Sequence, residues 1–549
     1  MAADIPGGGA GGTPRPRVAA PAKPATYVCA PAGATPPGKA GADPMARPPA
    51  GGAKAAPAKV APPKAAAAPL KVAAAPVAPL GVPSHEAQAA ALAGARVREA
   101  VRLFAFGAAL QRQGRLADAQ RAYGRAIRFN PNFPDAYANL GVALRAQGKS
   151  EAAVACHRRA IGLRPGGASF HSNLGNALRD LGRLEEAAAA LQQALRLTPD
   201  APEILYNFGL VLRDMGRLDT ALSCFDAVLK HRPEHAECRY DRALALLQAG
   251  DFKRGFAEYE TRWKLRRNPP RTFDQPRWNG QAIPGKTLLV HAEPGFGDAI
   301  QFARYAALAK KKSGAALVLE CPAELARLME TLEAVDRIAI RGGPLPAFDA
   351  HIPLMSLPAL MGTAANNVPA TVPYLSPPEI RAVALPEIVA GALKVGIVWA
   401  GSPATRAERH RSCPFVHFLD LAPVPGVVLY SLQTGEAARD TRTHAVEPLV
   451  FDAGQALADF ADLATALNQL DLVISVDTAT AHLAGALGKP VWTLLSAIGD
   501  WRWPASGDRT PWYPTMRLFR QKARGDWNEV MADVGQELQR TAGARATAR

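Results

Sequence analysis

Hydrophobic and polar positions fall into three successive regimes along the chain. Residues 1–90 show no apolar period: Ala, Pro and Lys alternate, as in AAPAKVAPPKAAAAPLKVAAAPVAPL, with 18 Pro and 11 Gly. Such a segment removes backbone donors and offers too little apolar area to offset the entropy of ordering, so a disordered tail is expected over residues 1–95. From residue 100 the apolar pattern is helical and repeats. Gly107, Gly141, Gly175 and Gly209 share a 34-residue spacing, as do Gly114, Gly148, Gly182, Gly216 and Gly250, and Pro131, Pro165, Pro199 and Pro233. Small residues follow the same spacing at Ala119, Ala153, Ala187, Ala221 and Gly255. Each unit reads as helix, Gly turn, helix and Pro stop, with small residues where the helices cross.

After residue 270 short apolar runs alternate with amphipathic stretches, the pattern of strands and helices in a parallel sheet. The first set is KTLLVH (286–291), AALVLE (315–320), RIAI (337–340) and FDAHIP (348–353), with AIQFARYAALAKKK read as the first intervening helix. A Pro-rich passage from Pro369 to Pro386 reads as a linker. A second set comes after it: KVGIVWAGS (394–402), VVLYSLQ (427–433), LDLVISVD (470–477) and PVWTLL (490–495). Two such sets around a hinge predict two lobes, 270–390 and 391–540, with a ligand cleft between them.

The helical repeats over 96–269 resemble the tetratricopeptide (TPR) family, whose units are helix-turn-helix pairs of this length; YANLGVALRAQGKSEAAVACHRRAIGLRP (Tyr137 to Pro165) carries the likeness. Five units are expected. The fifth, with Ala243 in place of the Gly and the charged, aromatic FAEYETRWKLRRNPP, reads as a cap that docks on the α/β region after it. Cys156 and Cys224 fall on one repeat position and read as small packing residues. The pair His231 and His235 straddles Pro233 without a metal-ligand set. Asn139, Asn173 and Asn207, one period apart, either line a concave peptide-binding face or tie adjacent helices together.

Composition changes the picture in two respects. The formal charge is +16, but residues 1–98 hold 11 Lys/Arg against 3 Asp/Glu, so much of the excess sits in the tail. That suits weak contact with acidic surfaces, and with Tyr27 as the tail's one aromatic it does not suit specific nucleic-acid binding. No run has the length and apolarity of a membrane span, the start MAADIPGGGA lacks the features of a secretory signal, and six widely spaced Cys fit no disulfide framework; a cytoplasmic protein is expected.

Candidate chemistry gathers in two loops. In SVDTATAHLAGALGKP, Asp477 closes a strand and Thr478 is placed to cap a helix whose free N–H groups suit a diphosphate. His482, one turn in, either donates to that anion or packs between layers. Facing it, WAGSPATRAERHRSCPF supplies Ser402 and Arg411, with Arg406, Arg409 and Lys394 either beside the same anion or on a solvated face. In the first lobe, AEPGFGD presents Gly295, Gly297 and Asp298 between strand and helix. The aromatic stretch from Asp500 to Gln521, with Trp501, Trp503, Trp512 and Tyr513, reads as a loop that stacks on a ligand or closes the lobes.

PGFGDAIQFARY and ISVDTATAHLAGALGKPVWTLL together resemble glycosyltransferase family 9, the heptosyltransferase-like enzymes of two-lobed GT-B fold. The fold class expected is thus a disordered tail, an all-α TPR solenoid and a two-lobed, doubly wound α/β domain. The resemblance implies Asp298 as general base and Asp477, Thr478, Ala479 and His482 as the donor-sugar loop. Arg411, or Arg409 in reserve, matches the family's phosphate-contacting residue, and Gln433 or Glu436 in SLQTGE reaches the nucleoside. It also implies inverting transfer from a nucleoside-diphosphate sugar, with no other cofactor. The chain holds no D-x-D triplet for a divalent metal, so metal-independent chemistry is the expectation. A TPR array is not usual in that family and the first lobe is short, so the acceptor is expected to be a protein or glycan met partly at the concave face of the repeats. The rival reading is a TPR scaffold with a catalytically silent transferase-like domain.

Overall fold

The computed structural model describes residues 84–378, 383–401, 411–446 and 448–547. The expected disordered tail lies outside these residues up to position 83; helix α1 (His85–Arg112) begins ten residues ahead of the boundary expected at 95. The repeats then form paired helices: α2 (Leu116–Phe129), α3 (Pro134–Ala146), α4 (Ser150–Leu163), α5 (Ala168–Asp180), α6 (Leu184–Leu197), α7 (Pro202–Asp214), α8 (Leu218–His231), α9 (Ala236–Gln248) and α10 (Phe252–Tyr259). The turn glycines Gly114, Gly148, Gly182, Gly216 and Gly250 all have φ between +72° and +82°, which explains their period.

The helix glycines have a different cause. A Cβ on Gly107, Gly141, Gly175 or Gly209 would lie 2.6–2.7 Å from the ring or branch of Tyr123, His157, Leu191 or Phe225, respectively. A large side chain on each second helix thus fills the space left by a glycine on the first. His157 is one of these fillers: it is fully buried, neither ring nitrogen has a hydrogen-bond partner, and burial drives its pKa down to about 4. Tyr259 holds the same repeat position in the fifth unit, opposite Ala243.

Adjacent first helices are linked by ion pairs from arginines one repeat apart, the first two to aspartates in the same register and the third to Asp241, out of register because position 248 is Gln. Arg145 donates to Asp180 at 2.8 Å, Arg179 to Asp214 at 2.5 Å and Arg213 to Asp241 at 2.7 Å. Asn207 donates to Ser172 at 3.2 Å, a tie between neighbouring repeats, and Asn139 lies 3.5 Å from the Tyr123 hydroxyl. Cys224 is buried in the repeat core and Cys156 is partly buried against it.

The C-terminal half holds two parallel sheets. The first, in order β3-β2-β1-β4, comprises β1 (Thr287–His291), β2 (Ala316–Cys321), β3 (Arg337–Ile340) and β4 (Ala350–Pro353). The expected helix after β1 is two, α11 (Phe296–Ala303) and α12 (Tyr305–Ser313), which meet at the buried Arg304. With α13 (Ala323–Met329) and α14 (Leu357–Leu360) they cover one face. The other face, at Leu289, Val318 and Ala339, is covered by Phe273, Leu345 and Phe348 from loops. This lobe thus carries helices on one side of its sheet.

The second sheet is wound on both sides. Its strands are β5 (Leu393–Val398), β6 (Val427–Ser431), β7 (Val450–Asp452), β8 (Leu472–Val476), β9 (Val491–Leu495) and β10 (Met516–Arg520), in order β10-β9-β8-β5-β6-β7. Counted within the lobe, the chain starts at β5, passes to one edge through β6 and β7, then returns to the other side of β5 through β8, β9 and β10. Strand order therefore reverses between β5 and β8, as in dinucleotide-binding sheets. The edge strands β7 and β10 are additions to the sequence reading. One face packs on α15 (Phe460–Asn468) and α16 (Ala479–Ala486), the other on α17 (Asn528–Thr547).

The fifth repeat shares a core with both lobes. Phe256 stacks edge-on against Phe302, Trp501 and Trp512, with ring centres 5.8–6.3 Å apart. Beside it Arg262, fully buried, pairs with Glu260 and Glu293 and donates to Ser356 at 2.8 Å. No helix among the described residues is long and apolar enough to cross a membrane.

Candidate functional site

Ligands of doubly wound sheets bind beyond the strand C-termini where the strand order reverses. Here that point lies between the end of β5, at Trp399 to Gly401, and the end of β8, at Asp477 and Thr478. Gln433 shapes the first of these ends: its side-chain oxygen accepts from the N–H groups of Trp399 and Ala400, and its amide nitrogen donates to the carbonyls of Ala400 and Thr434, all at 3.0–3.1 Å. Buried and with its amide fully engaged, it holds the loop. Glu436 stands exposed on a short turn.

Asp477 is buried, and Nη1 of Arg411 donates to it at 3.1 Å. Burial raises its pKa against the opposing pull of Arg411. Thr478 stands at the N-cap position of α16 but leaves the helix N–H groups uncapped, because its hydroxyl pairs with Ser475 at 2.9 Å. Ala479 is the first, half-buried residue of the helix. Ser402, Arg406 and Arg409 lie outside the described residues. Lys394 stands near the start of β5 and so at the opposite edge of the sheet, away from this cleft.

The two lobes meet where α11 crosses α16. A Cβ on Gly297 would lie 3.0 Å from Cδ2 of His482 and 3.8 Å from the Ala479 backbone, so glycine there permits the close approach. His482 is buried, stacks on Trp503 with ring centres 5.2 Å apart, and shares a hydrogen bond with the Tyr513 hydroxyl at 3.0 Å. Burial, reinforced by Arg502, pushes its pKa down to about 3, so it is neutral and belongs to the interlobe packing. Trp501, Trp503, Trp512 and Tyr513 are likewise buried, which fits the second of the two expected roles, a loop that closes the lobes; the stretch they occupy ends in strand β10.

Asp298 lies in the first turn of α11 with a quarter of its side chain exposed, beside Gly295, whose φ of +123° turns the chain toward it. Nη2 of Arg502 donates to Asp298, Nε to Gln301 at 3.0 Å and Nη1 to Asp500 at 2.7 Å. A helix N-terminus taken alone depresses a carboxyl pKa. In the fold the Asp298 pKa is raised, because burial, aided by Asp500 and Glu293, outweighs Arg502. Burial also acts to raise Asp500, but its bonds to Arg502 bring it below the ordinary range. Tyr259, from the fifth repeat, lies within the field of Asp298 and Arg502.

Asp298, Asp477, Arg411 and His482 are thus brought to one interlobe region. Sequence reasoning missed Asp500, Arg502 and Tyr259, the groups that set the surroundings of Asp298. The alternation of charge and tryptophan in DWRW was the available signal for the first two.

Comparison with known families matches the TPR repeat model at residues 107–148 and 175–216, tetratricopeptide repeat models at 134–166 and 206–271, and glycosyltransferase family 9 (heptosyltransferase) at 456–524. Residues 107–271 are therefore TPR repeats, followed by a domain similar to family 9 glycosyltransferases. Protein FlbA of Caulobacter vibrioides is 31% identical over 322 residues, and the match covers 53% of each chain, so the chain spans about half the length of this curated relative. Among solved structures, YrrB, a TPR protein with an unusual peptide-binding site, is 22% identical and covers 31% of this chain and 88% of its own, with a TM-score of 0.27. TTC0263, a thermophilic TPR protein in Thermus thermophilus, is 22% identical and covers 31% and 93%, with a TM-score of 0.28.

Proposed function

We propose that the protein transfers a sugar from a nucleoside-diphosphate donor, with inversion, to a hydroxyl of a protein or glycan acceptor recruited in part by the repeats. The observation that carries this reading is the placement of Asp298, a carboxyl with raised pKa, across the lobe boundary from the uncapped start of α16 at the reversal point of the second sheet. In the proposed step Asp298 takes the acceptor hydroxyl proton, the acceptor oxygen bonds to the anomeric carbon, and the bond to the diphosphate oxygen breaks with its electron pair leaving on the phosphate. Asp477, Thr478, Ala479 and Arg411 line the donor side, where helix N–H groups and guanidinium offset the departing charge without a metal. No cofactor beyond the donor is proposed. TPR repeats are a protein-interaction architecture, and the acceptor is placed at their concave face. A cytoplasmic setting suits the free thiols of Cys156, Cys224, Cys238, Cys321 and Cys413.

A second reading, a silent transferase-like domain on a TPR scaffold, draws on a specific observation: Asp298 and Asp477 are both held by arginines. Calorimetric titration of ADP, UDP and GDP into the full chain, beside Asp477→Ala and Asp298→Ala, separates the two. Transfer predicts micromolar binding of one nucleotide that Asp477→Ala weakens and Asp298→Ala leaves intact. Absence of binding at millimolar nucleotide favours the scaffold.

A further inference from the structure

Resting on the donor reading above, we propose that Arg520 is a ligand of the donor's diphosphate. Register sets its place. Arg520 is the last residue of β10 and pairs with Leu495 of β9, while Val476 of β8 pairs with Leu494. Asp477 therefore stands level with Arg520 at the C-terminal edge, on the far side of β9. The guanidinium does not point away into solvent. It lies over Gly499 in the loop after β9, where an added Cβ would collide with Nη1, and Nη2 donates to the Pro504 carbonyl at 2.6 Å.

Of the three arginines Arg411, Arg502 and Arg520 in this region, two are already engaged with carboxylates: Arg411 with Asp477, and Arg502 with Asp298 and Asp500. Arg520 has no carboxylate within ion-pair distance among the described residues, and its bond to Pro504 leaves most of its donors open. Consistent with a cation that has been partly desolvated without compensation, burial lowers its pKa while the more distant Asp477 acts against that. An arginine fork with free donors at this edge is suited to phosphate oxygens, which a carboxylate-saturated arginine is not.

The test is calorimetry of the full chain with the nucleoside diphosphate that binds best and with the corresponding nucleoside. Arg520→Gln should weaken diphosphate binding about 10- to 100-fold and leave nucleoside binding unchanged; Arg520→Lys should retain part of the affinity. Gly499→Ala, which displaces the guanidinium while leaving Arg520 in place, should reproduce the loss. Thermal melting identifies any variant that fails to fold. If the wild type binds and Arg520→Gln binds equally, or loses nucleoside and diphosphate alike, the assignment is wrong and the donor reading stands. If the wild type binds no nucleotide, the donor reading itself falls and takes the assignment with it.

Discussion

The Asp298 carboxylate accepts a hydrogen bond from Arg502, 204 residues further along the chain. Burial raises the Asp298 pKa and Arg502 opposes that rise, so the arginine sets how readily the proposed base is deprotonated. Arg502→Met should push the Asp298 pKa up, and the rising limb of the kcat/KM against pH profile should move to higher pH. Asp298→Asn should lower kcat about 10²- to 10⁴-fold. A limb that stays in place in Arg502→Met would remove Asp298 from the role of base.

His157 offers a test confined to the repeats. Its pKa of about 4 lies below the unfolded value of 6.5, so the unfolded chain binds the proton more readily. The resulting stability is present above pH 6.5 and is lost as pH falls toward 4. His157→Leu, which places at this position the residue found at 191, should stabilise the protein by about 2 kcal/mol at about pH 5 and have little pH-linked effect at about pH 8. Denaturant unfolding at the two pH values measures the difference.

Gly297→Ala should separate α11 from α16. The new methyl would meet the His482 ring at 3.0 Å, tighter than ordinary contact, and the ring is fixed by Trp503 and Tyr513. Overpacking of this kind costs roughly 1–3 kcal/mol, visible as a lower Tm. Because the crossing also sets the distance between Asp298 and the donor loop, kcat should fall more than donor affinity. Equal falls in both would indicate general unfolding.

Arg262→Met should loosen the repeats from the α/β domain. It leaves Glu293 without its buried partner while Glu260 keeps Arg277, and an unpaired buried charge costs about 3–5 kcal/mol in comparable sites. Calorimetric unfolding should then broaden or split, and limited proteolysis should cut between residues 264 and 286. Retention of a single, unshifted transition would show that the aromatic contacts of Phe256 alone hold the junction.

The repeats were legible because glycine, small residue and proline each mark a geometric demand that recurs every 34 residues. The central strands were legible because each is a buried apolar run. β7 is three residues long, and β10 is hidden in a charged, aromatic segment, so neither has a strand-like period. The loops bearing Asp298 and Asp477 stood out as glycine- and threonine-marked strand ends. The partner of Asp298 did not, because Arg502 reaches it only through the docking of lobes, and local sequence carries no trace of a contact 204 residues away. The tryptophans, for which sequence left two roles open, show the same limit: aromatic richness does not distinguish a ligand platform from a three-way junction.

The position of Tyr259 bears on how such a chain can change over generations. The side chain that fills the helix crossing in repeats one to four reappears in the fifth beside Arg502 and Asp298. Whole units can therefore be gained, lost or exchanged at the distal end of the array while the cleft stays intact. The fifth unit is not interchangeable with the others, since replacing it would remove a wall of the cleft. Arg524 of the second lobe also packs on Gly182 in the turn after α5, so the units freest to diversify in what they grip, apart from the chemistry, are those ahead of α5.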